Sequence, residues 1–293
     1  MQQPIVRMEQ VRFAYRRKPL LFRSVDLEIP PGSVVGLLGR NGAGKTTLLK
    51  LATGALFSME GSIELFGRPA AGRGTSGLGR TVFVPEQFEV PAVTVRQYLD
   101  LQGGYYPSFD RDLAESCLDR LVVDRDAPFA ELSFGQQKKV LLAFALSRAA
   151  DLIILDEPTN GLDIPAKQVF RSLVAERAAE GRTVVISTHQ VRDVENLIDR
   201  IVILEAGEIL FQATLEAISG AVRVRRFESL EAAAEAGALA AHPDPPEVRG
   251  LLTDTSGDVA PEMIDLELLF AAALEYPEQL RRACGVAPCG DAG

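Results

Sequence analysis

The chain has 293 residues, 47% of them apolar and 24% charged, a globular composition that excludes a wholly disordered chain. Forty acidic residues against 31 basic ones leave a net charge of −9, which argues against a surface built to coat DNA or RNA. Three cysteines, Cys117, Cys284 and Cys289, are too few and too scattered for a disulfide framework or a zinc site and fit a reducing cytoplasm. The N-terminus carries no apolar core of the kind a signal peptide needs. The longest apolar runs, such as residues 140–146, fall well short of the roughly 20 that span a bilayer.

In chain order, residues 5–15 alternate apolar and polar, as a half-buried strand does. Residues 23–29 read as a second strand, closed by the turn Pro30-Pro31-Gly32. Residues 33–38 are a short apolar run, followed by glycines and a helical stretch at 45–52. Strands are expected at 63–66 and 81–84, with a Gly/Arg-rich loop at 67–80 between them. Residues 95–121 read as mostly helical, interrupted at Gly103-Gly104 and Pro107. Residues 133–149 are apolar on nearly every side, so that helix is expected to be buried. A buried strand at 152–155, a helix at 164–179, a strand at 183–187 and a helix at 191–198 follow. Residues 201–204 and 208–211 read as a closing hairpin around Ala206-Gly207. Beyond Ala213 alanine becomes frequent and proline clusters in a loop at 242–246. A strand at 222–227 and helices at 230–238 and 261–275 make this a small accessory α+β domain.

Gly39-Arg40-Asn41-Gly42-Ala43-Gly44-Lys45-Thr46 matches G-x-x-x-x-G-K-[ST] between a strand and a helix. Glycines let backbone N–H groups converge on phosphates, and the helix N-terminus adds partial positive charge. Gly39, Asn41, Gly42, Ala43, Gly44, Lys45, Thr46 and the adjoining Thr47 are therefore phosphate-binding candidates. Lys45 is expected at the β- and γ-phosphates and the Thr46 hydroxyl on Mg²⁺. The strand at 152–155 runs into Asp156-Glu157, and buried carboxylates need a partner. Asp156 is expected in the Mg²⁺ shell, and Glu157 as the base that orients and deprotonates water. Leu132-Ser133-Phe134-Gly135-Gln136 opens the buried helix, and Ser133 and Gln136 spell a capping box. A helix start of that kind is also an anion site, which makes Ser133, Gly135 and Gln136 nucleotide-contact candidates. Gly72-Arg73-Gly74-Thr75-Ser76-Gly77 spells G-x-G-x-x-G, but a strand and not a helix follows it, so it reads as a loop.

These motifs, in this order, resemble the ATP-binding cassette (ABC) ATPases over residues 4–213. The signature segment is a variant, because the family usually has glycine where Phe134 stands. The resemblance implies that Tyr15 packs on adenine, that Asp163 is the acidic end of the D-loop at 158–163, and that His189 is the switch histidine at the γ-phosphate. Taken alone, Asp163 is also a helix N-cap. His242, in the proline cluster, reads as surface. The family places a glutamine near Mg²⁺ at the hinge to the helical subdomain; here either Glu86 or Gln87 occupies that place, with Glu86 the better aligned.

The implied fold is a P-loop α/β sheet with an antiparallel β subdomain, a helical subdomain at about 88–150 and the accessory α+β domain at 214–293. The implied cofactors are ATP and Mg²⁺. One phosphate loop and one signature per chain imply pairing, as a homodimer or heterodimer, with each ATP held between one chain's loop and the other's signature serine. Residues 132–199 are similar to the ATPases of bacterial ABC-2-type exporters. That implies a multi-span membrane permease as partner, no nucleic acid, and a cytoplasmic protein peripheral to the inner face of the membrane. Residues 88–101 and Tyr105-Tyr106-Pro107 are the expected docking surface. The second reading is a soluble ABC ATPase acting on a ribosome, DNA or an assembly scaffold.

Overall fold

The computed structural model describes residues 3–70, 79–253 and 264–286. The glycine loop at 72–77, Cys289 and the C-terminal tail lie outside the described residues.

β1 (Val6–Ala14), β2 (Leu20–Ile29), β3 (Val34–Leu38), α1 (Lys45–Ala52), β4 (Glu60–Leu65) and β5 (Arg68–Pro69) open the chain. β6 (Thr81–Val84), α2 (Val95–Gly103), α3 (Arg111–Arg120) and α4 (Phe134–Leu146) follow. Then come β7 (Leu152–Asp156), α5 (Ile164–Ala179), β8 (Thr183–Thr188), β9 (Arg200–Glu205) and β10 (Glu208–Thr214). The C-terminal region holds α6 (Leu215–Ala221), β11 (Arg223–Phe227), α7 (Leu230–Glu235), β12 (Ala240–Asp244), β13 (Glu247–Leu252), α8 (Leu266–Glu275) and α9 (Pro277–Ala283).

The central sheet runs β10-β9-β3-β8-β7-β6. All its pairings are parallel except the β9–β10 hairpin. β3, β7 and β8 are buried along their whole length, as parallel strands covered on both faces must be. Strand alternation splits their side chains between two cores. Leu152 and Ile154 face α1 and the four-stranded antiparallel sheet β2-β1-β4-β5, whereas Ile153 and Leu155 face α4 and α5. α2, α3 and α4 form the helical subdomain, and α4 is buried on nearly every side as its sequence implies.

Several local expectations give way to tertiary context. Residues 191–198 form a 3-10 turn, Val191–Asp193, and not a regular α-helix. Asp193 is drawn to Lys167 at 2.7 Å, and Arg171 donates to the Asp193 carbonyl at 3.0 Å. These bonds take backbone and side chain away from helical geometry. The expected loop at 67–80 contributes β5, which pairs with β4 through Glu64–Pro69 and Leu65–Arg68. The proline cluster is only partly a loop: His242, Pro243 and Asp244 lie in β12, with His242 opposite Arg249 and Pro243 opposite Val248 of β13, and Pro245-Pro246 form the turn between the two strands. Proline is tolerated there because β12 is an edge strand of the sheet β11-β13-β12. α6 and α9 were not legible in advance. The Ser133–Gln136 capping box is only half made. Ser133 Oγ accepts from Gln136 N at 3.3 Å, while no described bond returns from the Gln136 side chain. The complete box belongs to Thr94 and Gln97 at the start of α2.

The C-terminal region is α+β, with its own three-stranded sheet, and it is stitched to the central sheet. Leu266, Leu268, Leu269 and Leu280 share one apolar cluster with Ile201, Ile203 and Phe211. The Arg281 guanidinium donates to the carbonyls of Leu210 (2.8 Å) and Ile209 (3.0 Å).

Candidate active site

The strand register brings the motifs together. Leu38 at the end of β3 pairs with Thr188 of β8, and Ser187 of β8 pairs with Asp156 of β7. Residues 39–46, 156–157 and 187–189 therefore meet at the carboxyl edge of neighbouring parallel strands, where α/β sheets bind ligands. The loop after β3 needs its glycines. A Cβ at Gly39 would stand 2.3 Å from the Leu204 carbonyl oxygen, and Gly44 holds φ +108° with Phe22 2.9 Å from where its Cβ would be.

Lys45 is 6% exposed. Its ammonium donates to the carbonyls of Gly39 (2.8 Å) and Arg40 (3.3 Å) and pairs with Glu157 Oε1 at 3.3 Å. Thr46 Oγ1 donates to Asp156 Oδ2 at 2.6 Å, and Ser187 Oγ donates to Asp156 Oδ1. Ser187 Oγ also accepts from Glu157 N at 3.2 Å. Glu157 sits at φ +46°, an uncommon conformation for a side chain larger than glycine, and such strain gathers at functional sites. Its Oε1 is shared by Lys45 and His189 Nδ1, the latter at 2.9 Å. Its Oε2 is buried with no hydrogen-bond partner. An orphaned carboxylate oxygen in a dry site is an acceptor for a water or a ligand group.

Thr46 and Asp156 fit Mg²⁺. Both offer hard oxygen donors at the edge of the phosphate loop, and Mg²⁺ takes only one or two protein oxygens when phosphates supply the rest. Consistent with that borrowing, no cluster of three or more His, Cys, Asp or Glu suited to a metal occurs among the described residues.

Tyr15 stands beside α1, with its hydroxyl 3.0 Å from Thr47 Oγ1 and its ring edge-on to Phe13. It is 38% exposed, which leaves a ring face for a base. The Glu86 carboxylate turns toward the site, and Oε1 accepts from Asn160 Nδ2 at 3.3 Å. Gln87 is exposed and makes no described hydrogen bond. Of the two, Glu86 is the residue the fold directs inward. Asp163 caps α5, accepting from Ala166 N at 2.8 Å, and pairs with Lys139 at 3.2 Å. The Ala166 amide first, then Lys139, hold its carboxyl below the usual range.

Ser133, Gly135 and Gln136 are not brought to the chain's own phosphate loop by any described hydrogen bond. Ser133 lies exposed at the start of α4, and a Cβ at Gly135 would meet the Gly161 carbonyl at 2.3 Å. The signature thus abuts the D-loop of its own chain and presents its serine outward. Asn160 and Gln190, which link Glu86 to the turn after His189 through a 3.2 Å bond, were missed by sequence reasoning, as was the part Ser187 plays in holding Asp156. Asn160 and Gln190 flank recognised motifs, but nothing in their spacing marks them.

The profile described as ABC transporter matches residues 22–160. The manganese transport system ATP-binding protein MntB of Bacillus subtilis is 31% identical over 221 residues, covering 71% of this chain and 86% of that protein. The chain belongs to the ABC transporter ATP-binding family. Nod factor export ATP-binding protein I of Cupriavidus metallidurans is 32% identical, with 69% of each chain covered. Among solved structures, cbiO1 of Clostridium perfringens, part of the ABC transporter complex cbiONQ, aligns with a TM-score of 0.62 at 26% identity, over 74% of this chain and 91% of that one. An ATP-binding cassette solved as a post-hydrolysis dimer with ADP and Pi aligns with a TM-score of 0.64 at 25% identity, over 72% and 98%. No helix among the described residues of this ABC ATPase is long and apolar enough to cross a membrane.

Proposed function

We propose that the chain is the ATP-hydrolysing motor subunit of an ABC transporter, an exporter of the ABC-2 type, acting as one of a pair of ATPase chains docked on a separate multi-span permease at the inner face of the membrane. The observation that carries the hydrolytic part is the Glu157 carboxylate, held through Oε1 by Lys45 and His189 with Oε2 left free in a buried site. Oε2 is the atom that accepts the proton of a water attacking the γ-phosphorus. His189 fixes that carboxylate and stands beside the transferred group. Lys45 moves its ammonium from loop carbonyls to the β- and γ-phosphates. Bound Mg²⁺ would be held by Thr46 and Asp156 and supplies charge neutralisation on the phosphates. Most of the barrier is lowered by positioning and electrostatics. Tyr15 stacks on adenine. The outward Ser133, with Gly135, Gln136 and Asp163, serves the ATP of the partner chain.

Export is supported by the likeness of residues 132–199 to exporter ATPases and by relatives named for Nod factor export. Residues 1–213 form the ATP-binding part and 214–293 the accessory part. Docking is supported by a cleft of about 1530 Å³ between the helical subdomain and the central sheet, lined by Phe66, Phe83, Phe88, Tyr98, Tyr105 and Tyr106. The two adjacent tyrosines divide the work. Tyr106 packs on Phe144 and under Arg148, whose guanidinium lies 3.6 Å from the ring centroid. Tyr105 is 77% exposed, an aromatic anchor free for a partner.

Co-expression with the neighbouring membrane protein tests this reading. The chain is expected in the membrane fraction only when the permease is present, and Tyr105→Glu is expected to release it with ATPase activity retained. A chain that stays soluble beside every multi-span neighbour and co-purifies with ribosomes or a scaffold protein would overturn the transporter reading.

A further inference from the structure

Lys138 is fully buried on α4, yet it makes no ion pair with a described residue. Its ammonium donates only to the Glu86 carbonyl, at a long 3.5 Å. It lies 5.7 Å from the ring centroids of both Phe88 and Phe134, which stack on each other at 5.3 Å. A leucine or methionine would fill this place against two phenyl rings without any charge to desolvate. A buried ammonium needs a counter-charge to persist. Burial pulls the Lys138 pKa down, and the charge that most opposes this is Glu86, ahead of Asp156 and Glu157.

Glu86 poses the matching problem. It is a third carboxylate at a site that already holds Asp156 and Glu157, and the site must receive a polyphosphate. Its side-chain hydrogen bond, from the neutral Asn160 amide, does not offset its charge. The resembling family usually has a neutral glutamine at this place, so the chain carries one extra negative charge here, and the buried cation Lys138 lies on the adjoining helix.

We propose that Lys138 is a positioning residue: its buried ammonium, which donates to the Glu86 carbonyl, holds the Glu86 turn against α4 and supplies beside it the positive charge that makes a third acid compatible with nucleotide. That contact links the helix bearing the signature serine to the hinge at 85–88. The inference rests on the nucleotide reading of the site.

The test is a titration with a fluorescent ATP analogue, in EDTA and in Mg²⁺, of wild type, Lys138→Met and Glu86→Gln/Lys138→Met, with thermal midpoints taken without nucleotide. Methionine fits an apolar gap, so Lys138→Met is expected to melt no lower than wild type while binding the analogue about tenfold more weakly, within the usual coupling of contacting residues. Adding Glu86→Gln is expected to restore binding to within about threefold. If Lys138→Met alone fails to fold but the double variant folds, the coupling is seen in stability and the pair stands. Wild-type binding by Lys138→Met would overturn the proposal, and so would a binding or folding defect that Glu86→Gln does not relieve. Lys138→Arg, which keeps the charge, is expected to bind like wild type; loss of binding there, with rescue of Lys138→Met absent, marks a packing role only. A wild-type chain that does not bind the analogue would refute the nucleotide reading itself, whatever the variants do.

Discussion

Glu157 is where position decides chemistry. One of its oxygens is committed to Lys45 and His189 and the other is free, so the carboxylate is oriented without being neutralised on both sides. Glu157→Gln keeps the shape and removes the base. It is expected to lower kcat by roughly 10²–10⁴ while ATP still binds. Size-exclusion chromatography with ATP and Mg²⁺ is expected to show a stable dimer, and a monomer at saturating ATP would count against Glu157 as base. Lys45→Ala acts earlier in the cycle. It removes the phosphate cation and is expected to weaken ATP binding about tenfold or more, read by equilibrium binding. Ser133 separates the chains: it lies outside its own phosphate loop, so Ser133→Arg is expected to abolish ATPase activity while ATP binding to the single chain is kept. Hydrolysis at the wild-type rate would sink the role in trans.

At the scale of elements, the site depends on how β3, β7 and β8 end together, and the helical subdomain on how α2 starts. Thr94 accepts from Gln97 N at 3.2 Å and Gln97 Oε1 accepts from Thr94 N at 3.0 Å. This reciprocal cap satisfies two backbone donors that would otherwise lack partners at the helix start. Thr94→Ala is expected to cost about 1 kcal/mol, a drop of roughly 2–4 °C in thermal midpoint for a chain of this size. ATP binding by the same variant is expected to be unchanged, because α2 touches none of the phosphate-loop residues. A fall in ATP affinity would mean that α2 and the phosphate loop are coupled.

Across the whole molecule, the C-terminal region bears on the ATPase body at two places. α8 covers β9 and β10 with Leu268 and Leu269, and its Phe270 lines a second cleft of about 240 Å³ with Gly39, Asn41 and His189. Arg192, in the turn after the switch histidine, pairs with Glu267 of α8 at 2.8 Å. Cutting the chain after Thr214 would uncover Phe211 and strip Arg281 from two strand carbonyls. The truncated chain is expected to unfold at a lower temperature than the full chain, and equal midpoints would show that the two parts are energetically independent. Leu269→Ala, at a fully buried position, is expected to cost about 2–5 kcal/mol, seen by denaturant unfolding.

The sequence alone determined the phosphate loop, the acidic strand end, the signature and the buried character of α4, because each rests on local spacing: glycine conformational freedom, strand runs and helix periodicity act within a few residues. The resemblance to ABC ATPases, carried by the order of motifs along the chain, also pointed to His189 and Asp163. Only the tertiary structure decided which of two neighbouring side chains faces the site. Glu86 and Gln87 are neighbours that the motif spacing separates only slightly, in favour of Glu86, and its inward turn rests on Asn160, which is distant in sequence. The fold alone shows Lys138 as a buried cation, because a lysine on a helix reads as a solvated face until its neighbours are known. It also turned the expected helix after His189 into a short turn, pulled by Lys167 and Arg171, and the first part of the proline cluster into an edge strand. Each of these outcomes depends on charge or backbone pairing between segments far apart in the chain, and no local window contains both partners.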